Sequence, residues 1–117
     1  MKIVTTTSVF PFDYPCHDAA SRLAKAGFQH LDLAMDYTAE NKNCGFSFDN
    51  WETWAHELRD FADKNGVTYT HSHAWGDASS RSFKTFRCID VCQILGSQYT
   101  VIHPIYKHVD GSFIMDD

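Results

Sequence analysis

The sequence predicts an α/β fold in which four parallel strands alternate with helices, and two observations carry that expectation. Apolar residues recur at helical spacing in three stretches, and between those stretches lie short runs rich in β-branched and aromatic residues. Glycines at 27, 66 and 96 then join each helical stretch to the run after it, as Gly27-Phe-Gln-His-Leu-Asp-Leu, Gly66-Val-Thr-Tyr-Thr-His and Gly96-Ser-Gln-Tyr-Thr-Val-Ile-His. Alternation of this kind implies parallel strands joined by right-handed crossovers, with the helices on one side of the sheet. A chain of 117 residues fits one domain, residues 1–117, with a modest core.

Residues 2–9 are rich in β-branched side chains and read as the first strand. Two prolines in residues 10–15 stop it, because proline cannot continue a central strand. Phe10 in that loop is a candidate wall for a substrate, although loop aromatics more often fold onto their own core. Helix one spans about 17–26, with Ala20, Leu23 and Ala24 as its inner stripe and Gly27 as its stop. Residues 30–35 form a second strand with Asp32 in its middle; a carboxylate there is exposed, paired or lining a site.

Residues 37–48 are a polar linker. Helix two starts at Asp49, with Glu52 three residues on in a capping-box pattern, and its stripe is Trp51, Trp54, Ala55, Leu58 and Ala62. The tryptophans read as core residues. Residues 67–75 make the third strand, in which His71 and His73 share a face because side chains alternate along a strand. Helix three covers about 83–95, with Cys88, Val91, Cys92 and Leu95 facing inward. Strand four runs over 99–103 and ends in His103. A polar cluster (Lys107, His108, Asp110) and an apolar triplet at 113–115 follow as a tail.

The net charge of −5 gives no basic footprint for nucleic acid. No apolar run approaches the roughly 18–20 residues that span a bilayer. The first residues read as a strand rather than a signal sequence, so a cytoplasmic location is expected. The cysteines at 16, 44, 88 and 92 form no CxxC pair and read as small buried thiols.

Asp32, His71, His73 and His103 all fall toward the C-terminal ends of their strands, where parallel sheets place their sites. Histidine titrates near neutral pH and serves as an acid or a base. Trp75 lies beside the histidine pair and, with Phe10 and His71, is a candidate for contacting a substrate. For any one histidine at a strand end the simpler reading is a hydrogen-bonded structural residue. Their convergence at one sheet edge is what favours a site.

With these residues in view, the chain resembles the xylose-isomerase-like barrels, which include sugar-phosphate isomerases and epimerases and endonuclease IV. Gly27-Phe-Gln-His-Leu-Asp-Leu is similar to that superfamily's second strand, with Asp32 where glutamate is usual. The run ending His71-Ser72-His73-Ala74 is similar to its third strand, and Tyr99-Thr-Val-Ile-His103-Pro104 to its fourth. The resemblance implies half of a (β/α)8 TIM barrel, four β/α units where the complete fold needs roughly 250 residues. It implies metal-assisted proton transfer next to a carbonyl, on a carbohydrate or sugar phosphate, with Mn²⁺, Zn²⁺ or Mg²⁺ as cofactor. Asp32, His73 and His103 are the catalytic candidates it offers, and His73 and His103 the metal ligands. Two imidazoles fall short of the three protein ligands usual at a catalytic zinc, and His71 or Asp32 could supply a third.

In that superfamily most metal ligands, and the glutamates that move the proton, come from strands of the second half. The expectation is therefore a fragment or truncated form of a longer chain, or a homodimer that completes the barrel, or a sheet covered by its own tail. Two further readings stay open. One is an endonuclease-like, metal-dependent phosphodiester hydrolase, for which Lys107 and His108 offer the local basic support. The other is a non-catalytic half-barrel that binds a ligand or partner.

Overall fold

Strands β1 (Val4–Thr6), β2 (His30–Ala34), β3 (Thr68–His73) and β4 (Tyr99–Val101) form one sheet, all parallel, in the order β1-β2-β3-β4. This computed structural model describes residues 1–11, 13–35, 49–74, 83–102, 106–109 and 112–115. Every strand pairs with its neighbour in sequence, so the winding never reverses. Helices α1 (Cys16–Lys25), α2 (Trp51–Asn65) and α3 (Phe83–Leu95) therefore pack on the same side of the sheet.

The core lies between those helices and one face of β2 and β3. Leu31, Leu33 and Tyr69 from the strands meet Cys16, Ala20 and Leu23 of α1. Trp54, Ala55, Leu58 and Ala62 of α2 join them, with Cys88, Val91, Cys92 and Leu95 of α3. Each fully buried aliphatic side chain contributes about 1.5–3 kcal/mol relative to exposure. The stripes expected for α2 and α3 are those observed, except that Trp51 is only partly buried, its ring under the guanidinium of Arg87 at 5.4 Å. In α1 the stripe shifts: Cys16 and Ala19 are buried and Ala24 packs at the margin.

All three helices end in one way. Gly27, Gly66 and Gly96 have φ of 94°, 65° and 72°. The residue after each donates its N–H to a carbonyl five positions back: Phe28 to Leu23 (3.1 Å), Val67 to Ala62 (2.9 Å) and Ser97 to Cys92 (2.9 Å). This left-handed stop satisfies carbonyls that a helix end leaves without partners, and it turns the chain straight into the next strand. Arg59 ties two of the helices together, since its Nη1 donates to the Leu95 carbonyl at 3.0 Å and its Nε to Asp63 at 2.9 Å.

Several boundaries differ from the expected ones, each for a local reason. The first strand stops at Thr6, and Thr7–Val9 form a 3-10 turn. Thr6 caps that turn by accepting from the Ser8 N–H at 3.2 Å, a local bond that competes with strand extension. Helix α2 begins at Trp51 after Asn50, which makes no side-chain cap bond, so the capping box from Asp49 to Glu52 does not form. In the tail, β5 (Tyr106–Val109) and β6 (Ser112–Met115) make an antiparallel hairpin where the sequence reading had assigned no strands. No helix among the described residues is long and apolar enough to cross a membrane.

Candidate functional site

The position of the site depends on one irregularity between the two central strands. Pairing runs from His30 with Thr68 to Leu31 with Tyr69, then jumps to Asp32 with His71, leaving Thr70 as an extra residue on β3. That is a β-bulge, rarer in parallel than in antiparallel pairs. Strict alternation from the core residue Tyr69 would turn His71 and His73 toward the helices as well. The bulge resets the count. Ser72 and Ala74 are buried on the core side, while His71 and His73 are carried to the face that also bears Asp32 and Ala34.

There the two histidines close around one carboxylate. The Nδ1–H of His73 donates to Asp32 Oδ2 at 2.8 Å, and His71 Nε2 stands 3.7 Å from the same oxygen. The two imidazole rings are 5.9 Å apart at 59°. One donor atom from each of the three residues can be chosen so that all lie within 4.8 Å of one another. The Asp32 side chain is 5% exposed, against about 30% for each histidine, so the histidines form the accessible part of the group.

Asp32 is not fully satisfied. Its Oδ1 is buried without a hydrogen-bond partner among the described residues. Leaving a buried acceptor unpaired costs about 1–3 kcal/mol, and more when it is charged. The surrounding backbone is held firmly. The Ala34 N–H donates to the buried Thr7 hydroxyl at 3.0 Å, fixing the end of β2 against the turn after β1. Thr70, on the bulge, makes long contacts to the Leu31 carbonyl (3.5 Å) and to His71 Nδ1 (3.4 Å).

Two nitrogens and a carboxylate suit borderline divalent ions, and the unpaired Oδ1 is a group that a cation would satisfy; the donor set therefore fits the metal that the sequence reading expects. His73 was expected to ligate together with His103, which lies outside the described residues, as does Trp75. His71, expected to meet a substrate, takes the place beside Asp32. Phe10 stacks on Tyr14 with ring centroids 4.8 Å apart and packs against the hydrophobic core.

The residue that sequence reasoning missed is Thr70. A threonine in a run of β-formers gives no sign that it will be the unpaired one.

The packed side of the sheet holds polar groups that are accounted for structurally. The Ser72 and Ser97 hydroxyls meet at 3.2 Å, Ser97 donates to the Tyr69 carbonyl, and Thr100 donates to that of Ser72. Burial pushes the Cys92 thiol above its ordinary value, although bonds with Ser72 and Thr100 pull the other way. It is a neutral core residue. Burial likewise raises the Tyr69 phenol, with Cys16 a smaller cause. No protein-family model matches this sequence, and no curated protein matches it significantly.

Proposed function

We propose that this chain forms the first half of a (β/α)8-type barrel of the xylose-isomerase-like class, working as an isomerase or epimerase on a carbohydrate or sugar phosphate. The single observation that supports this best is the meeting of Asp32, His71 and His73 on the face turned away from α1, α2 and α3, in a sheet wound in the order β1-β2-β3-β4. A singly wound parallel sheet with helices on one face is what half of such a barrel requires, and the opposite face would line its interior.

The chain's own residues have distinct tasks in this reading. Asp32 accepts from His73 Nδ1 and so fixes both the ring and its tautomer; a neutral His73 then carries its basic lone pair on Nε2. That is the arrangement of an oriented general base, which takes the proton from the carbon next to the substrate carbonyl and returns it to the neighbouring carbon or the other face. His71 supplies a second imidazole for a substrate hydroxyl. Where a divalent cation is bound, Asp32, His71 and His73 would be its ligands in place of the His73–Asp32 hydrogen bond. The cation would then polarise the substrate's oxygens, and His73 would serve as ligand rather than base. His103 belongs to the same proposal through its sequence position alone.

The remaining half of the barrel comes from further chain or from a second copy, paired as a homodimer. The buried cysteines at 16, 88 and 92 fit a reducing, cytoplasmic setting.

The test is solvent proton exchange. Aldose and ketose phosphates incubated with the protein and Mn²⁺, Zn²⁺ or Mg²⁺ in D₂O are expected to gain deuterium next to the carbonyl, followed by NMR. His73→Ala should slow that exchange by about a hundredfold or more, the usual weight of a general base. Exchange that is absent with every sugar phosphate, or that survives His73→Ala, would sink the reading. Light scattering on the same sample checks whether a homodimer accompanies activity.

A further inference from the structure

We infer that Asp32, His71 and His73 by themselves hold a zinc-like transition-metal dication, with no protein ligand needed from outside β2 and β3. The inference shares its residues with the proposed function but stands without it, since a chain that binds metal need not isomerise anything. It also differs from the ligand set that the resemblance implies, which is spread over later strands.

The distances carry it first. Ligand atoms bound at roughly 2.0–2.1 Å stand about 3.3 Å apart at a tetrahedral angle and about 2.9 Å apart at a right angle. Asp32 Oδ2 lies 2.8 Å from His73 Nδ1 and 3.7 Å from His71 Nε2, so the observed separations bracket those values. The three donor atoms lie within 4.8 Å of one another, so the two imidazoles would close on the ion by side-chain rotation of up to about 1.5 Å. The donors sit on the two central strands of the sheet, the best-anchored part of the molecule.

The second, independent observation is the state of Asp32. It is a carboxylate with a 5% exposed side chain, one oxygen accepting from His73 and the other buried without a partner among the described residues. A sealed carboxylate that is only half satisfied is a poor resting arrangement without a cation to meet it. The bulge at Thr70 adds to the case, because it interrupts the ladder of backbone bonds at the step that turns both imidazoles toward that carboxylate.

The donor chemistry decides which ion. Ca²⁺ takes six to eight oxygen ligands, and Mg²⁺ demands near-octahedral oxygen and keeps much of its water. Two imidazoles and one carboxylate favour Zn²⁺, Co²⁺ or Ni²⁺, with water completing the coordination.

The experiment uses the whole chain, free of any affinity tag and stripped of metal. Equilibrium dialysis against Zn²⁺ is expected to give about one ion per chain, and Co²⁺ should produce visible absorption bands that excess Mg²⁺ does not remove. His71→Gln and Asp32→Asn should each weaken Zn²⁺ binding by about tenfold or more, with the far-ultraviolet circular dichroism of the metal-free variants unchanged. If Asp32→Asn fails to fold, His71→Gln, at a partly exposed position, carries the test by itself. No ion retained by the unaltered protein, or undiminished affinity in a folded variant, overturns the inference. No substrate enters the measurement, so a failed isomerase reading leaves its outcome intact.

Discussion

The two faces of β2 and β3 are built from neighbouring residues and do opposite work. Toward the helices stand Leu31, Leu33, Tyr69 and Ser72, all fully or almost fully buried and closed by apolar side chains. Away from the helices stand Asp32, His71 and His73, with His73 bonded to the Asp32 carboxylate and His71 3.7 Å from it. Packing wants volume filled and polar atoms absent or paired; a site wants polar atoms gathered and left with capacity to bind. A strand can serve both because its side chains alternate, but both strands must then alternate in phase. On β3 the core residue Tyr69 and the site histidines are out of phase by one position, and the bulge corrects it. Bulging Thr70 out of the ladder lets a single strand anchor the core with one half and the site with the other.

The most damaging way to break this division is to put a charge on the packed side of β3. Ser72 is wholly buried there, and Ser72→Lys would force an ammonium into the core. The expected loss exceeds about 4 kcal/mol, and it would be read as the absence of a cooperative unfolding transition in urea. Deleting Thr70 should be far milder, because His71 would then follow Tyr69 directly and plain alternation keeps both histidines on the site face. Loss of the cooperative transition on that deletion would show that the bulge does more than set the phase.

Paired substitutions sharpen the contrast at intermediate size. Leu58→Ala, at a wholly buried position in α2, is expected to lower stability by about 2–5 kcal/mol while zinc binding persists. Asp32→Asn should do the reverse, changing stability by less than about 1 kcal/mol, since it removes a half-satisfied charge as well as a bond, while zinc binding drops. Urea melts and dialysis on both variants check the pair. Equal effects on both readouts would mean that the two faces are not separable.

The smallest effect concerns a histidine on the packed side. His17 of α1 lies edge-on to Trp54 of α2 with ring centroids 6.5 Å apart, and its Nε2 is 3.8 Å from Glu57. Burial lowers its pKa below the ordinary 6.5, outweighing the attraction of Glu57 and Asp18, which raises it. The folded chain therefore holds this proton less tightly than the unfolded one. Stability from this group is fully present above pH 6.5 and is lost as the pH falls through the window between 6.5 and the lower folded value. Urea melts from pH 8 to 5 should show a shallower acid decline for His17→Gln than for the unaltered protein. His71 and His73 are common to both, so the difference isolates His17.

Much of this architecture is legible in the residues. The helical stripes, above all Cys88, Val91, Cys92 and Leu95, and the three glycine stops are local signals, and the structure follows them. Strand order follows from the alternation of elements. Asp32, His71 and His73 stood out because polar residues near the ends of apolar strands are conspicuous. Their gathering around one carboxylate did not, because it depends on a register shift that no period-two count reveals. The strand over 2–9 was overextended for a related reason: Thr6 bonds locally to Ser8, and β-propensity takes no account of that competing bond. The β5–β6 hairpin had an available signal, Asp110-Gly111 between two strand-like runs, the pairing that favours a tight hairpin turn.

The clamp between α2 and α3 also limits how this sequence can vary. A Cβ at position 96 would come within 2.6 Å of the Arg59 guanidinium, and φ there is already one that side chains rarely adopt. Arg59 in turn bonds the Leu95 carbonyl from that same spot. A side chain at 96 would push the arginine head off that carbonyl, and it would carry the strain of the left-handed φ whether or not the arginine stayed. Glycine at 96 is therefore held by the backbone itself, and Arg59 is the partner with more freedom to drift.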